Sequence, residues 1–166
     1  MMASHYQIDC VWGLEGVKKF PNVSDVIVWV DALGNIPVTK KSFPPNKQNA
    51  QILTSGIHDA YAVGDWIVNL QLSRNQRLHV LIVCADAENH SIADQLAAGA
   101  VVERLASQGI DAMSPEAAVA NKAFIGLSNA VEHLITASAA AHGQSMNHEV
   151  LTIDENLPQS EVRILN

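Results

Sequence analysis

The stretch LHVLIVCADAENHSIADQLAAGAVVERL, Leu78 to Leu105, decides how this chain folds. Val80 to Ala85 is a short, continuous apolar run rich in β-branched residues, the pattern of a strand covered on both faces. A polar turn carrying Asp86 and Glu88 follows. Ser91, with Asp94 three residues on, is a capping-box-like pair: the hydroxyl satisfies an orphan backbone N–H, and the carboxylate suits the positive end of the helix dipole. From Ile92, residues Leu96, Ala97, Ala100, Val101 and Leu105 recur at helical spacing, with Glu103, Arg104 and Gln108 on the other side. Gly109 stands where a glycine commonly ends a helix. The small residues Ala97, Ala98 and Gly99 predict close approach of this helix to the sheet. The unit places Asp86, Glu88 and Asp94 outside the carboxyl end of a strand, where open α/β sheets put ligand sites.

Upstream, Gln7 to Trp12 predicts an opening strand, with Gly13 and Gly16 in a turn and a short helix around Lys18, Lys19 and Phe20 closed by Pro21. DVIVWVD, Asp25 to Asp31, predicts a second buried strand ending in an acid. Asp31 reads equally as a metal ligand or nucleophile and as a turn-starting aspartate before Gly34 and Asn35. Residues 34–51 carry Pro37, Pro44 and Pro45 and read as loop, with a short edge strand at Ile36 to Thr39. Thr54 or Ser55 then caps a helix whose face is Ile57, Ala60, Tyr61, Gly64, Ile67 and Val68. This puts His58 and Asp59 in its first turn, as candidate substrate contacts or as solvated polar residues.

Downstream, Ser114-Pro115-Glu116 is a strong helix start. Its apolar pattern runs through Phe124, Leu134 and Ala139 toward Gly143, with a break expected between Asn121 and Gly126. Val150 to Ile153 and Val162 to Leu165 are two short candidate strands around Pro158. Alternating strands and helices predict an α/β fold: a three-layer α/β/α arrangement with a largely parallel sheet, in a single domain spanning residues 1–166.

The composition fits a compact globular protein: 48% of the 166 residues are hydrophobic and 16% charged. A net charge of −7, with no basic cluster larger than Lys40-Lys41, argues against nucleic-acid or anionic-membrane partners. Cys10 and Cys84 read as buried hydrophobes in a reducing compartment. No apolar run approaches the ~20 residues of a membrane span, so a cytoplasmic protein is expected. The alanine-rich C-terminal third suggests a homo-oligomer. Phosphate-binding loops, dinucleotide-binding glycine motifs, nucleophile elbows and zinc-helix spacings are absent from the sequence.

The order of motifs resembles the 2-phosphosulfolactate phosphatase family, magnesium-dependent enzymes of coenzyme M biosynthesis and their bacterial relatives. CVWGLEGV (10–17) resembles that family's strand and W-G-x-x-G turn, and VIVWVDAL (26–33) its strand ending in Asp-Val-Leu. IVCADAENHSIADQLAAGAVVERL (82–105) is similar to its strand, acidic turn and helix. MSPEAAVANKAF (113–124) and NHEVLTIDENLPQSEVRIL (147–165) keep its order. The chain departs at Gly34-Asn35-Ile36, where the family has Arg-Ala-Thr, and at Ala93, where it has glutamate. It departs again at 142–146, where an arginine is lost, and it lacks the family's central Thr-Thr-Asn-Gly-Thr segment.

The resemblance implies Mg²⁺ held by Asp31, Glu88 and Asp94, alone or together with Asp86, and catalysis through Asp31 and Asp94; Asp86, and from the helix reading His58 and Asp59, are the candidate substrate contacts. The implied reaction is hydrolysis of a small phosphorylated organic acid. The alternative is a non-catalytic relative that keeps the scaffold for ligand binding or oligomerisation.

Overall fold

Four strands build the parallel part of one sheet: β1 (Ile8–Trp12), β2 (Val26–Val30), β3 (Gln51–Ser55) and β4 (Val80–Cys84), of which β2 and β4 are apolar throughout. In the computed structural model, which describes residues 5–138, 141, 142 and 144–166, a fifth strand, β5 (Arg163–Leu165), closes the sheet antiparallel to β3. The order is β1-β4-β2-β3-β5. β2 and β4 are buried at every position because helices or loops cover both their faces.

The helices are α1 (Gly13–Lys19), α2 (Ala60–Arg74), α3 (Ile92–Ser107), α4 (Pro115–Leu127) and α5 (Val131–Ala137). Val28, Val30, Leu53, Ile82 and Cys84 point to the side packed by α2, α3 and α4. Ile27, Trp29, Ile52, Leu81 and Val83 meet Val17 of α1, Phe43 and Ala50 on the opposite face. The result is the expected α/β/α arrangement with a mostly parallel sheet. Cys10 and Cys84 are both buried. Although 74 residues apart in sequence, they sit on neighbouring strands, where the Cys10 thiol contact and burial raise the Cys84 pKa well above its usual value.

Helix α3 keeps its predicted signals. The Ser91 hydroxyl accepts the Asp94 N–H, and Gly109 follows the helix with φ +95°. Its glycine has a different job from the one expected, since a Cβ at Gly99 would lie 2.0 Å from the Ala120 carbonyl oxygen. Gly99 therefore lets α3 meet α4 rather than the sheet. The Ser114 hydroxyl caps α4 through the Ala117 N–H.

Several boundaries differ from the sequence reading. Gly13 and Gly16 lie inside α1, not in a turn before it. No strand forms at Ile36 to Thr39; the strand is Gln51 to Ser55, and the next helix starts at Ala60 with Asp59 at its N-cap. Ile52, Leu53 and Thr54 prefer the sheet because β2 offers a full ladder of partners. Helix α4 runs unbroken past Asn121 to Leu127, and the break falls at the 3₁₀ turn 128–130. His148 to Leu151 forms a 3₁₀ turn where the first tail strand was expected to begin. Ala139 and Gly143 lie outside the described residues. Among those described, no helix is long and apolar enough to cross a membrane.

At the amino end of the sheet, His79 ties three strands together. Its Nε2 lies 2.8 Å from Asp9 Oδ2, its Nδ1 lies 3.1 Å from Ser24 Oγ, and its ring stacks on Phe20.

Candidate functional site

The candidate acids gather at the opposite, carboxyl end of the sheet. Asp94, in the first turn of α3, is 1% exposed. Its Oδ1 accepts the Ala32 N–H at 2.8 Å, and its Oδ2 accepts the Asp86 N–H at 2.9 Å. One carboxylate thus joins the segments leaving β2 and β4. Burial pushes its pKa up to about 7, with further upward pressure from Asp31 and Asp86, while the two backbone donors pull it down.

Asp31 turns inward on its own loop. Its Oδ1 accepts from the Asn35 N–H at 3.2 Å and its Oδ2 from the Ile36 N–H at 2.9 Å. Of the two sequence readings of Asp31, this is the turn-organising one. Asp86 is buried and bound to Asn89, whose side-chain amide donates to both of its carboxylate oxygens. Glu88 is exposed on the β4–α3 turn.

Asp31, Asp86 and Asp94 are close enough for their charges to interact, whereas Glu88 stands outside that group. Mg²⁺ needs near-octahedral oxygen ligands at about 2.1 Å. The proposed set of Asp31, Glu88 and Asp94 does not fit this arrangement. Glu88 is exposed and stands apart from the other two. Among the described residues, no group of three or more His, Cys, Asp or Glu side chains is placed to hold a metal.

Beside these acids a cleft of about 720 Å³ opens above β2, β3 and β5. Register explains its floor. Trp29 pairs with Thr54 across β2 and β3, and Thr54 pairs with Arg163 across β3 and β5. Residues in register project from the same face, so these three form a row, and all three line the cleft. The Trp29 indole N–H donates to the Ile36 carbonyl, fixing the ring. The Thr54 hydroxyl oxygen is buried and has no hydrogen-bond partner among the described residues. The Arg163 guanidinium, whose side chain is 68% exposed, lies 3.6 Å from Asp59 Oδ2.

His58 and Asp59 both reach the cleft. Asp59 Oδ1 also accepts the Gly56 N–H at 2.8 Å, holding the turn after β3. His58 Nδ1 faces the carbonyl oxygens of Glu149 (2.9 Å) and Thr152 (3.2 Å), so that nitrogen carries the hydrogen. In return the Asp154 N–H donates to the His58 carbonyl. These bonds hold the C-terminal segment as one wall of the cleft, where it contributes Met146, Val150, Leu157, Glu161 and Arg163. The loop after β2 supplies the facing wall through Leu33, Pro37 and Val38.

Sequence reasoning singled out Asp31, His58 and Asp59, which line the cleft, but missed Thr54, Glu161 and Arg163. Thr54 had been placed at a helix cap. The signal that could have recovered it is the run Gln51 to Ser55 paired with the short tail strand, which brings residues 54 and 163 together. Compared with protein-family models, curated proteins and solved structures, the chain matches none.

Proposed function

We propose that this protein binds a small organic acid in the cleft, with Arg163 as the contact for the acid group. The observation that carries the reading is Arg163: an exposed guanidinium in the lining of the cleft, 3.6 Å from Asp59, with the apolar side chains of Leu33, Val38 and Leu157 in the same lining. A guanidinium offers a fork of N–H donors to a carboxylate or phosphoryl group. Cavities of a few hundred Å³ with apolar walls and a few convergent polar groups are the usual form of small-molecule sites. This is the ligand-binding alternative raised by the sequence.

Titrating isotope-labelled protein with small carboxylic and phosphorylated acids is expected to shift the amide resonances of Ala32, Gly34 and Gly56. Arg163→Gln should weaken that binding at least about tenfold, a change of ~1.4 kcal/mol. Shifts confined to other parts of the molecule, or binding indifferent to Arg163→Gln, would refute the reading.

Magnesium-dependent phosphatase chemistry of the 2-phosphosulfolactate phosphatase type is the second reading. It draws on the motif order and on the mutual proximity of Asp31, Asp86 and Asp94. It also requires the exposed Glu88 to turn toward Asp31 and Asp94. Calorimetric titration with Mg²⁺ tests it. Specific binding that disappears in Asp31→Ala supports it, and no heat up to millimolar metal removes it.

A further inference from the structure

If the cleft holds an acid, the charges around it narrow the class of acid. With Arg163, three carboxylates belong to the cleft lining: Asp31, Asp59 and Glu161. Asp59 already sits 3.6 Å from the guanidinium and offsets part of its charge. The second basic group, His58, has given its Nδ1–H to backbone carbonyls, and its Nε2 lies 3.9 Å from Asp154. A dianionic phosphoryl group would therefore enter a site whose fixed charge is already net negative, in a protein carrying −7 overall.

Glu161 is the group left over. Asp59 is engaged by Arg163 and the Gly56 N–H, and Asp31 by two backbone donors. The Glu161 carboxylate makes no hydrogen bond or ion pair among the described residues, yet it lines the same cleft two residues from Arg163. The cleft lining therefore carries one exposed carboxylate without a protein partner among the described residues, together with one guanidinium. Between them and the opposite wall, Leu33, Val38 and Leu157 present apolar surface.

We infer that the cleft takes a zwitterion with an apolar side chain, the chemistry of a free aliphatic α-amino acid. Its carboxylate meets Arg163, its ammonium meets Glu161, and its aliphatic chain packs on Val38 and Leu157. The ammonium removes the electrostatic objection to the carboxylate.

The test rests on the acid-binding reading and separates its failure from that of the narrower claim. The intact protein is titrated with leucine, with isocaproate (the same skeleton without the ammonium), with isoamylamine (without the carboxylate) and with phosphoenolpyruvate. Affinity is read by calorimetry, and location by the amide resonances of Ala32, Gly34 and Gly56. Leucine should bind at least about tenfold more tightly than each of the others. Glu161→Gln should weaken leucine by about tenfold and leave isocaproate unchanged, while Arg163→Gln should weaken both.

Isocaproate or phosphoenolpyruvate binding at these amides as tightly as leucine would overturn the zwitterion and keep the acid site. Isoamylamine binding as tightly as leucine would overturn the zwitterion and identify a cation site. If no compound moves these amides, both readings fall.

Discussion

The Asp94 carboxylate makes stability depend on pH in a direction opposite to that of most acids. A paired aspartate normally has a depressed pKa in the folded state and stabilises the protein above it. Asp94 is buried, and its pKa is pushed up to about 7 from an ordinary value of 3.8. Between these two values the folded chain holds a proton that the unfolded chain has released. The number of protons bound is then larger in the native state, so stability falls as pH rises through this window and levels off above it. A displacement of about three units, at ~1.36 kcal/mol each, makes the loss roughly 4 kcal/mol between pH 4 and pH 8.

The perturbation that isolates this effect is Asp94→Asn, which keeps the shape and cannot titrate. One of its two terminal atoms is an amide nitrogen, so either the Ala32 or the Asp86 N–H loses its acceptor. That costs about 1–3 kcal/mol and is the same at every pH. Urea unfolding of both proteins, followed by circular dichroism at unit steps from pH 4 to pH 8, gives the difference curve. The variant should gain on the parent by roughly 4 kcal/mol across the range, with most of the change between pH 4 and pH 7. A flat difference curve would refute the idea that Asp94 is protonated more readily in the fold than in the unfolded chain. A curve of opposite sign would show that the two backbone donors outweigh burial.

Two further substitutions probe the scaffold. Gly99→Ala places a methyl group 2.0 Å from the Ala120 carbonyl oxygen and 2.8 Å from Phe124 Cβ, so α3 and α4 must separate. A loss of about 2–3 kcal/mol in urea unfolding is expected, and an unchanged midpoint would contradict the close helix contact. His79→Ala leaves Asp9 and Ser24, both buried, without their shared partner. It should cost about 1–3 kcal/mol, measured in the same way, and a neutral result would mean that the tie between the strands contributes nothing net.

Much of this protein was legible in its sequence where the determinants are local. Ser91 and Ser114 cap helices through hydroxyls only three residues from the N–H groups they satisfy. Val26 to Val30 and Val80 to Cys84 are apolar at every position, so their burial on both faces follows from composition alone. The α/β/α class followed from the alternation of such runs with helical periods. Where the pattern was short and mixed, local reasoning lost its way. Gln51 to Ser55 becomes a strand because β2 and β5 flank it, and neither neighbour is visible from those five residues.

The site belongs to tertiary structure. The sequence determined that Asp31, Asp86 and Asp94 would stand at the carboxyl end of a parallel sheet, because strand direction and chain order require it. It did not determine what their oxygens would face. Asp94 is spent on the Ala32 and Asp86 N–H groups because two loops converge on the start of α3, and Asp31 on its own turn because that turn closes. Among the described residues, the one arginine lining the cleft arrives from the C-terminal strand, 109 residues beyond the threonine it pairs with in register. Hydrogen bonds and ion pairs act over a few ångströms in space, and only the folded chain sets which residues come within that range.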